Sequence, residues 1–372
     1  MPVKNRDVFK LIDKLAPKHM AEEWDNVGLQ IGSSSLEVKK ILVALDVDEN
    51  VVQEAVDNNV QLIISHHPLL MKGIKSINID QPKGNLISKL IKNNISVYAA
   101  HTNLDSVQGG VNTILAEKLG LKNIDVLHIV GSEKYVKLVA YVPEGHQDTV
   151  RDAISEAGAG WIGNYSHCTF QVSGTGTFCP REGTNPYIGS EGELEHVGEK
   201  RLETIVPVEK LSEVVSSMIS AHPYEEVAYD IYPLENQGPA YGLGRIGQLD
   251  EPIAFSEIVK LVKRTLNLDV VKTGGSQHKL IKKVAVCGGS VGELWPVALA
   301  KGADAYITGD IKYHTAQDMT ATGLSFIDAG HYGTEVPVVE KVCVYLNEIC
   351  AKENIKVEVV KSKTQKEPFT YL

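Results

Sequence analysis

The stretch Leu62-Ile63-Ile64-Ser65-His66-His67-Pro68 decides how the rest of the chain is read. Leu62 to Ile64 form a short apolar run of the kind that makes a buried strand. The run stops at two adjacent histidines, and Pro68, which has no N–H to donate, prevents it from continuing as a central strand. Neighbouring side chains leaving a strand end point in different directions, so paired imidazoles suit two partners better than one. Neutral imidazole is the commonest protein ligand for zinc-like metals. A polar strand end exposed to water is the plain alternative for the pair taken alone.

The surrounding sequence supplies a frame of alternating strands and helices. Val8, Phe9, Ile12 and Leu15 lie near helical spacing and predict an amphipathic helix over about 6–16. Trp24-Asp25-Asn26-Val27-Gly28-Leu29-Gln30-Ile31-Gly32 combines turn chemistry with an alternation that predicts an edge strand. A strand over 40–45, a helix over about 49–58 and the 62–64 strand make a βαβ unit. A helix near 84–92 then leads to a strand over 96–100 and on to His101-Thr102-Asn103-Leu104-Asp105. The C-terminal part repeats this pattern. Lys40-Ile41-Leu42-Val43-Ala44 matches Lys283-Val284-Ala285-Val286-Cys287, and Val60 to Ser65 matches Ala303 to Thr308 at the same offset. Ala100-His101 followed by Asp105 aligns with Gly330-His331 followed by Glu335. Each half therefore supplies a His-x-x-x-acid after a strand, and a pseudo-symmetric pair would bring both sets to a shared cleft.

A different module lies between the halves. Strand–helix–strand patterns over 135–157 and 203–234, with Val142-Pro143 echoed by Val206-Pro207, predict the βαβ-βαβ order of a ferredoxin-like fold. The expected organisation is α/β: two pseudo-symmetric halves, 1–130 and 236–372, forming one domain, with 131–235 inserted as an α+β domain. Tyr241-Gly242-Leu243-Gly244-Arg245-Ile246-Gly247 lacks the βαβ context and the Lys-Ser/Thr pair of a phosphate loop and reads as a turn and strand.

At 372 residues, two or three domains are expected. A net charge of −10 disfavours non-specific binding to nucleic acid or acidic membranes. No apolar run approaches a membrane span, and the first residues lack the apolar core of a signal peptide. The five cysteines (Cys168, Cys179, Cys287, Cys343 and Cys350) include no CxxC pair, so neither a disulfide framework nor a thiolate zinc site is indicated. A cytoplasmic protein is the expectation.

His66, His67, His101, Asp105, His331 and Glu335 are the candidate metal ligands. Four imidazoles and two carboxylates fit two borderline divalent ions, zinc, iron or manganese, with a carboxylate free to bridge. All follow predicted strands, the usual place for sites in α/β folds. Pro337, comfortable only in a first helical turn, predicts a helix beginning near Thr334, with His331 in the preceding loop. Singly, Glu335 would serve as well to complement a helix N-terminus, and His101 to Asp105 as a capped turn. Their joint occurrence, duplicated between the halves, favours the metal reading.

These residues carry a family resemblance. Trp24-Asp25-Asn26-Val27-Gly28-Leu29, Ser65-His66-His67-Pro68, His101-Thr102-Asn103-Leu104-Asp105, Thr308-Gly309-Asp310-Ile311-Lys312-Tyr313-His314 and Gly330-His331-Tyr332-Gly333-Thr334-Glu335 resemble the Nif-three-like dinuclear metal centre family, the GTP cyclohydrolase I type 2 homologues. The resemblance implies a two-metal site at His66, His67, Asp105, His331 and Glu335, with His101 close by or ligating. It also implies a ring-shaped homohexamer and an insert like the trimeric PII and CutA-like proteins. Two metals suit hydrolysis of a small molecule, GTP ring opening with release of formate being the named candidate and His101 or His314 the proton carriers. His314 reads equally as a structural histidine. A phosphoesterase would need a basic cradle, for which Lys72, Lys75, Arg245 and Lys312 are available. A non-enzymatic metal-binding or ligand-sensing ring is the third expectation.

Overall fold

The computed structural model describes residues 2–370. They fall into two compact units, residues 2–131 with 241–370, and Ser132–Ala240.

In the first half of the larger unit, helix α1 (Asn5–Leu15) precedes strands β1 (Gly28–Ile31) and β2 (Lys40–Ala44). Helix α2 (Glu49–Asp57), strand β3 (Leu62–Ser65), helix α3 (Pro82–Lys92) and strand β4 (Ser96–Ala99) follow. Two short helices, α4 (Thr102–Ser106) and α5 (Val111–Lys118), lead into the long strand β5 (Lys122–Pro143). Strands β2, β3 and β4 run parallel in adjacent register, Ile41 opposite Leu62 and Leu62 opposite Ser96, and β1 closes the edge antiparallel to β4. Every residue of β3 and β4 is buried. That explains an apolar run without alternation, because helices cover both faces of such a sheet. Ile41, Val43, Leu62 and Ile64 pack into one core with α1, while Leu42 and Ile63 pack into the other with Val51, Val52 and Leu90.

The smaller unit holds helix α6 (Gln147–Glu156), strands β6 (Thr169–Phe178) and β7 (Glu195–Pro207), helix α7 (Leu211–Ala221) and the start of strand β8 (Tyr229–Ala254). With β5 the element order is β-α-β-β-α-β, and the strands lie in the order β6-β7-β5-β8. Leu138, Val142, Val150, Ile154, Leu202, Val214 and Met218 form its core.

The second half of the larger unit continues with helix α8 (Phe255–Leu266), strands β9 (Lys272–Gly274) and β10 (Leu280–Val286), helix α9 (Trp295–Ala300) and strand β11 (Ala305–Thr308). Helix α10 (Tyr313–Ala321), strand β12 (Ser325–Asp328), helices α11 (His331–Glu335) and α12 (Pro337–Lys352) and strand β13 (Glu358–Lys361) complete it. Strands β10, β11 and β12 are parallel, and β9 closes their edge antiparallel to β12. This repeats β2, β3, β4 and β1. Strand β13 returns to the first half and pairs with β2 in parallel. Tyr241 to Gly247 lie inside β8, a strand and not a phosphate loop. The expected position of His331 is corrected: it is the first residue of the separate turn α11, because Pro337 opens a new helix without preventing a helical turn ahead of it. Among the described residues, no helix is long and apolar enough to cross a membrane.

Candidate metal centre

Each candidate ligand sits where a parallel strand ends and the next turn begins. His66 and His67 leave β3, their amides held by the carbonyls of Ala44 and Leu45. His101 caps α4, which turns Asp105 inward. Gly330, at φ 75°, allows the sharp exit from β12 that starts α11, and one helical turn then places His331 and Glu335 on the same face. The spacing that Pro337 appeared to forbid is thus the means of convergence. Nε2 of His331 lies 3.1 Å from Oε2 of Glu335.

Glu335 reaches across to the first half. Its Oε2 is 2.9 Å from Nε2 of His67, and its Oε1 is 3.8 Å from Nε2 of His66, which lies 3.7 Å from Oδ1 of Asp105. Three overlapping groups have the reach to hold an ion: His66 with His67 and His101, His67 with His331 and Glu335, and His66 with Asp105 and Glu335. All six residues expected as ligands belong to at least one group.

The imidazoles are oriented from behind. Nδ1–H of His66 donates to the carbonyl of Ala100 at 2.9 Å, and Nδ1–H of His67 to Asp46 at 2.7 Å. Nδ1–H of His101 donates to Asp25 at 2.9 Å and Nδ1–H of His331 to Asp310 at 2.8 Å. A carbonyl or carboxylate can only accept, so the proton stays on Nδ1 and the lone pair of the neutral ring is left on Nε2, facing the cluster. Asp25, Asp46 and Asp310 are orienting carboxylates that the sequence reading did not assign to the site. Asp25 and Asp310 stood within recognised motifs, whereas Asp46 carried no local signal.

The electrostatics are those of a site awaiting cations. Burial pulls the His67 imidazole down, but its hydrogen bonds to Asp46 and Glu335 prevail and hold it up at about 10. Hydrogen bonding to Glu335 raises His331 to about 9 against the opposing effect of burial. Burial pushes the Asp105 carboxyl up, with Glu335 adding to it and His66 opposing. For Asp25, burial is outweighed by His101 and Thr102, which hold it down at about 2. Nε2 of His66 and Oδ1 of Asp105 are buried without any hydrogen-bond partner among the described residues. A buried polar atom so placed costs about 1–3 kcal/mol unless a ligand satisfies it. These donors, imidazole nitrogen and carboxylate oxygen in overlapping groups, fit borderline divalent ions.

The cluster lines a cavity of about 800 Å³. Trp24 and Phe369 stand at it, 63% and 68% exposed, and Lys272 is the single lysine or arginine among its described walls. His314 is not brought to the cluster. It lies exposed on α10 with Nδ1 against Gln317 at 3.1 Å, because the helix turns it towards solvent. The expected phosphate cradle is corrected too. Arg245 is buried and spends its donors on Thr113 and the carbonyls of Ser106, Val107, Gly242 and Gly244. Lys312 pairs with Glu293, and neither it, Lys72 nor Lys75 lines the cavity.

Fold and site together define an α/β protein built from two similar halves around a preorganised histidine–carboxylate cluster able to hold metal. The chain belongs to the Duf34/NIF3 (NGG1p interacting factor 3) family, whose model matches residues 3–368. It is 44% identical over 365 residues to a Halalkalibacterium halodurans protein named GTP cyclohydrolase 1 type 2 homolog, covering 98% of both chains. The protein of the same name from Bacillus subtilis is also 44% identical, over 370 residues covering 100% of this chain and 99% of that one. The crystal structure of a Bacillus cereus protein related to NIF3 matches with a TM-score of 0.93 at 43% identity, covering all of both chains.

Proposed function

We propose that this protein is a metal-dependent hydrolase that acts on the heterocycle of a small molecule, GTP ring opening with release of formate being the candidate reaction. One observation carries the reading: Nε2 of His66 and Oδ1 of Asp105 are buried and unpartnered, and Asp105 with His67, His101, His331 and Glu335 lines a cavity of about 800 Å³. His66, His67, His331, Asp105 and Glu335 would hold two divalent ions, zinc, iron or manganese, with His101 ligating or beside them. When bound, such ions supply Lewis acidity, which acidifies water and stabilises developing negative charge.

The chain's own residues do the rest. Asp25, Asp46, Asp310 and the Ala100 carbonyl fix the rings so that four Nε2 atoms stay aimed at the cluster. Glu335, held well below the usual carboxylate range as His331, His66 and His67 outweigh its burial, remains an anion able to bridge. Nε2 of His101 is the proton carrier where it does not ligate, its ring steadied by Asp25. Lys272 is paired with Asp328 at 3.2 Å, so the cavity wall offers little protein charge to phosphate. That weighs against a protein cradle for phosphate, whether a scissile phosphoester or the triphosphate of GTP. A homohexameric ring in the cytoplasm, with the smaller unit as a PII- or CutA-like insert, is the assembly this reading expects.

The test is metal content and formate release from GTP, measured side by side on wild type and a His67→Ala/Glu335→Ala double variant. About two metals per chain, lost together with formate release in the variant, is the expected result. Metal bound at that level with no formate from GTP would overturn the cyclohydrolase reading. Light scattering on the same samples tests the hexamer.

A further inference from the structure

A second cavity, of about 390 Å³, lies wholly within the smaller unit and has no part in the metal centre. Its walls carry the rings of Tyr141, Phe178, Tyr187 and Tyr224 around the carboxylate of Glu199. Phe178 and Tyr224 meet edge to face with centroids 5.8 Å apart, and Tyr187 stands 6.3 Å from Tyr224. Glu199, on β7, is only 8% exposed. Its Oε1 accepts from the Tyr224 hydroxyl at 3.1 Å, and its Oε2 has no hydrogen-bond donor among the described residues. Gly176, also in the wall, leaves room for that Oε2, since a Cβ there would overlap it.

The formal charges in the cavity wall are all negative. Glu225 and Glu226 join Glu199 in the wall, and among its described residues there is no Lys, Arg or His. The nearby cations are engaged elsewhere: Arg201 pairs with Glu203 at 3.0 Å, and Lys200 bonds Ser173 at 2.6 Å. Behind Tyr224, Nε2–H of His222 donates to the Tyr141 carbonyl at 3.0 Å, and its Nδ1 accepts from the Tyr224 amide at 3.1 Å. That pattern needs the neutral ring, and burial pulls the His222 imidazole down accordingly. Burial and the Glu199 carboxylate both push the Tyr224 phenol up, so it remains a donor.

A carboxylate taken out of water needs a counter-charge, and aromatic faces attract cations through their quadrupoles. We propose that this cavity is a binding site for an organic ammonium cation, of the methylated or quaternary kind, seated against the rings with its charge facing Glu199. A metal ion is the poorer fit, since aromatic walls offer it no ligands. A neutral apolar guest would leave Oε2 of Glu199 without compensation.

Choline is the probe, titrated into the full-length protein and followed by calorimetry or by tyrosine fluorescence. Its uncharged isostere 3,3-dimethylbutan-1-ol is the control. Saturable choline binding is expected, with the alcohol at least about tenfold weaker. Glu199→Gln, which keeps the side chain's shape, should weaken choline about tenfold or more, and Tyr187→Leu severalfold. Circular dichroism and the metal content of the other unit check that both variants are folded. No saturable choline binding by wild type would overturn the proposal, as would equal affinity for the alcohol, or undiminished affinity in folded Glu199→Gln.

Discussion

Gly289→Ala tests the geometry of the metal cluster at a position that touches it without supplying a ligand. Gly289 follows β10 with φ 74°, and a Cβ there would overlap Oε1 of Glu335, with Cδ of Glu335 at 3.3 Å and Nε2 of His331 at 3.5 Å. Two costs follow, and a matched control separates them. The left-handed backbone costs an alanine about 1–2 kcal/mol wherever it occurs. Gly302, just beyond α9, has the same φ of 74° with nothing within 4 Å of the added Cβ, so Gly302→Ala carries the backbone cost alone. In Gly289→Ala the Glu335 carboxylate must also move, and it belongs to two of the three groups able to hold an ion. Losing that placement should weaken metal binding about 100-fold, near 2.7 kcal/mol. The assay is competition for metal against a chromophoric chelator, with chemical denaturation of the metal-free proteins alongside. Gly289→Ala should lose at least as much metal-free stability as Gly302→Ala, and Gly302→Ala should bind metal as wild type does. Wild-type affinity in Gly289→Ala would refute the assignment of Glu335 as the shared ligand.

The supporting carboxylates and the C-terminal clasp give two further expectations. Asp46→Asn replaces the carboxylate that fixes His67 with a neutral amide, and metal affinity should fall about 10–100-fold while circular dichroism stays unchanged; an unaltered affinity would show that the Asp46 charge does not support His67 as a ligand. Glu54 accepts from the Ser362 hydroxyl at 2.6 Å, the Lys363 amide at 3.0 Å and the Thr364 hydroxyl at 2.8 Å. Burial raises this carboxyl, but these hydrogen bonds outweigh it and hold the pKa below the ordinary 4.5. A depressed carboxylate stabilises above its unfolded pKa and loses that contribution as pH falls through the folded one. Hydrogen-exchange protection of the Lys363 and Thr364 amides, corrected for intrinsic rate, should therefore fall below about pH 4.5 in wild type and be pH-independent in Glu54→Gln. Protection that survives well into acid would mean that the clasp does not depend on this charge.

The parts of the fold legible in the sequence were those with a local cause. The runs at 41–44, 62–64 and 96–99 lack polar alternation because helices cover both sheet faces, and that forecasts parallel strands from composition alone. The candidate ligands were legible because they stand at the ends of those runs. Asp46 was not: one exposed-looking aspartate after a strand has no signal until folding brings it to His67, 21 positions away. Arg245 misled for the same reason. It stood among four cations available for a phosphate cradle, and only the tertiary structure shows five protein acceptors consuming its donors. His314 shares a motif with Asp310, yet helical rotation separates what sequence proximity joined. Pro337 misled in the opposite direction, because a proline limits the helix it opens and says nothing about a separate turn before it.

The internal repeat explains more than the fold, because the two halves differ at the candidate metal cluster. Register places Val43 opposite Ile64 and Val286 opposite Ile307, so Asp46 corresponds to Gly289, His66 to Gly309 and His67 to Asp310. The first half thus presents two imidazoles and a supporting carboxylate where the second presents two glycines and a supporting carboxylate. Both glycines are required by space: a Cβ at Gly309 would lie 2.7 Å from the Gly330 carbonyl carbon, and one at Gly289 would overlap Glu335. Two fully equivalent halves would place eight imidazoles and carboxylates in the cleft, enough to fill two four-coordinate sites and leave no open position. Giving up ligands on one side lets Glu335, 3% exposed, cross to His66 and His67. Two of the three groups then draw on Glu335 from the second half together with ligands of the first, while His66, His67 and His101 form a group within the first half. Binding of metal should therefore draw the two halves' strand ends together as a unit, which makes the Gly289→Ala and Asp46→Asn variants, one from each half, opposite approaches to the same site.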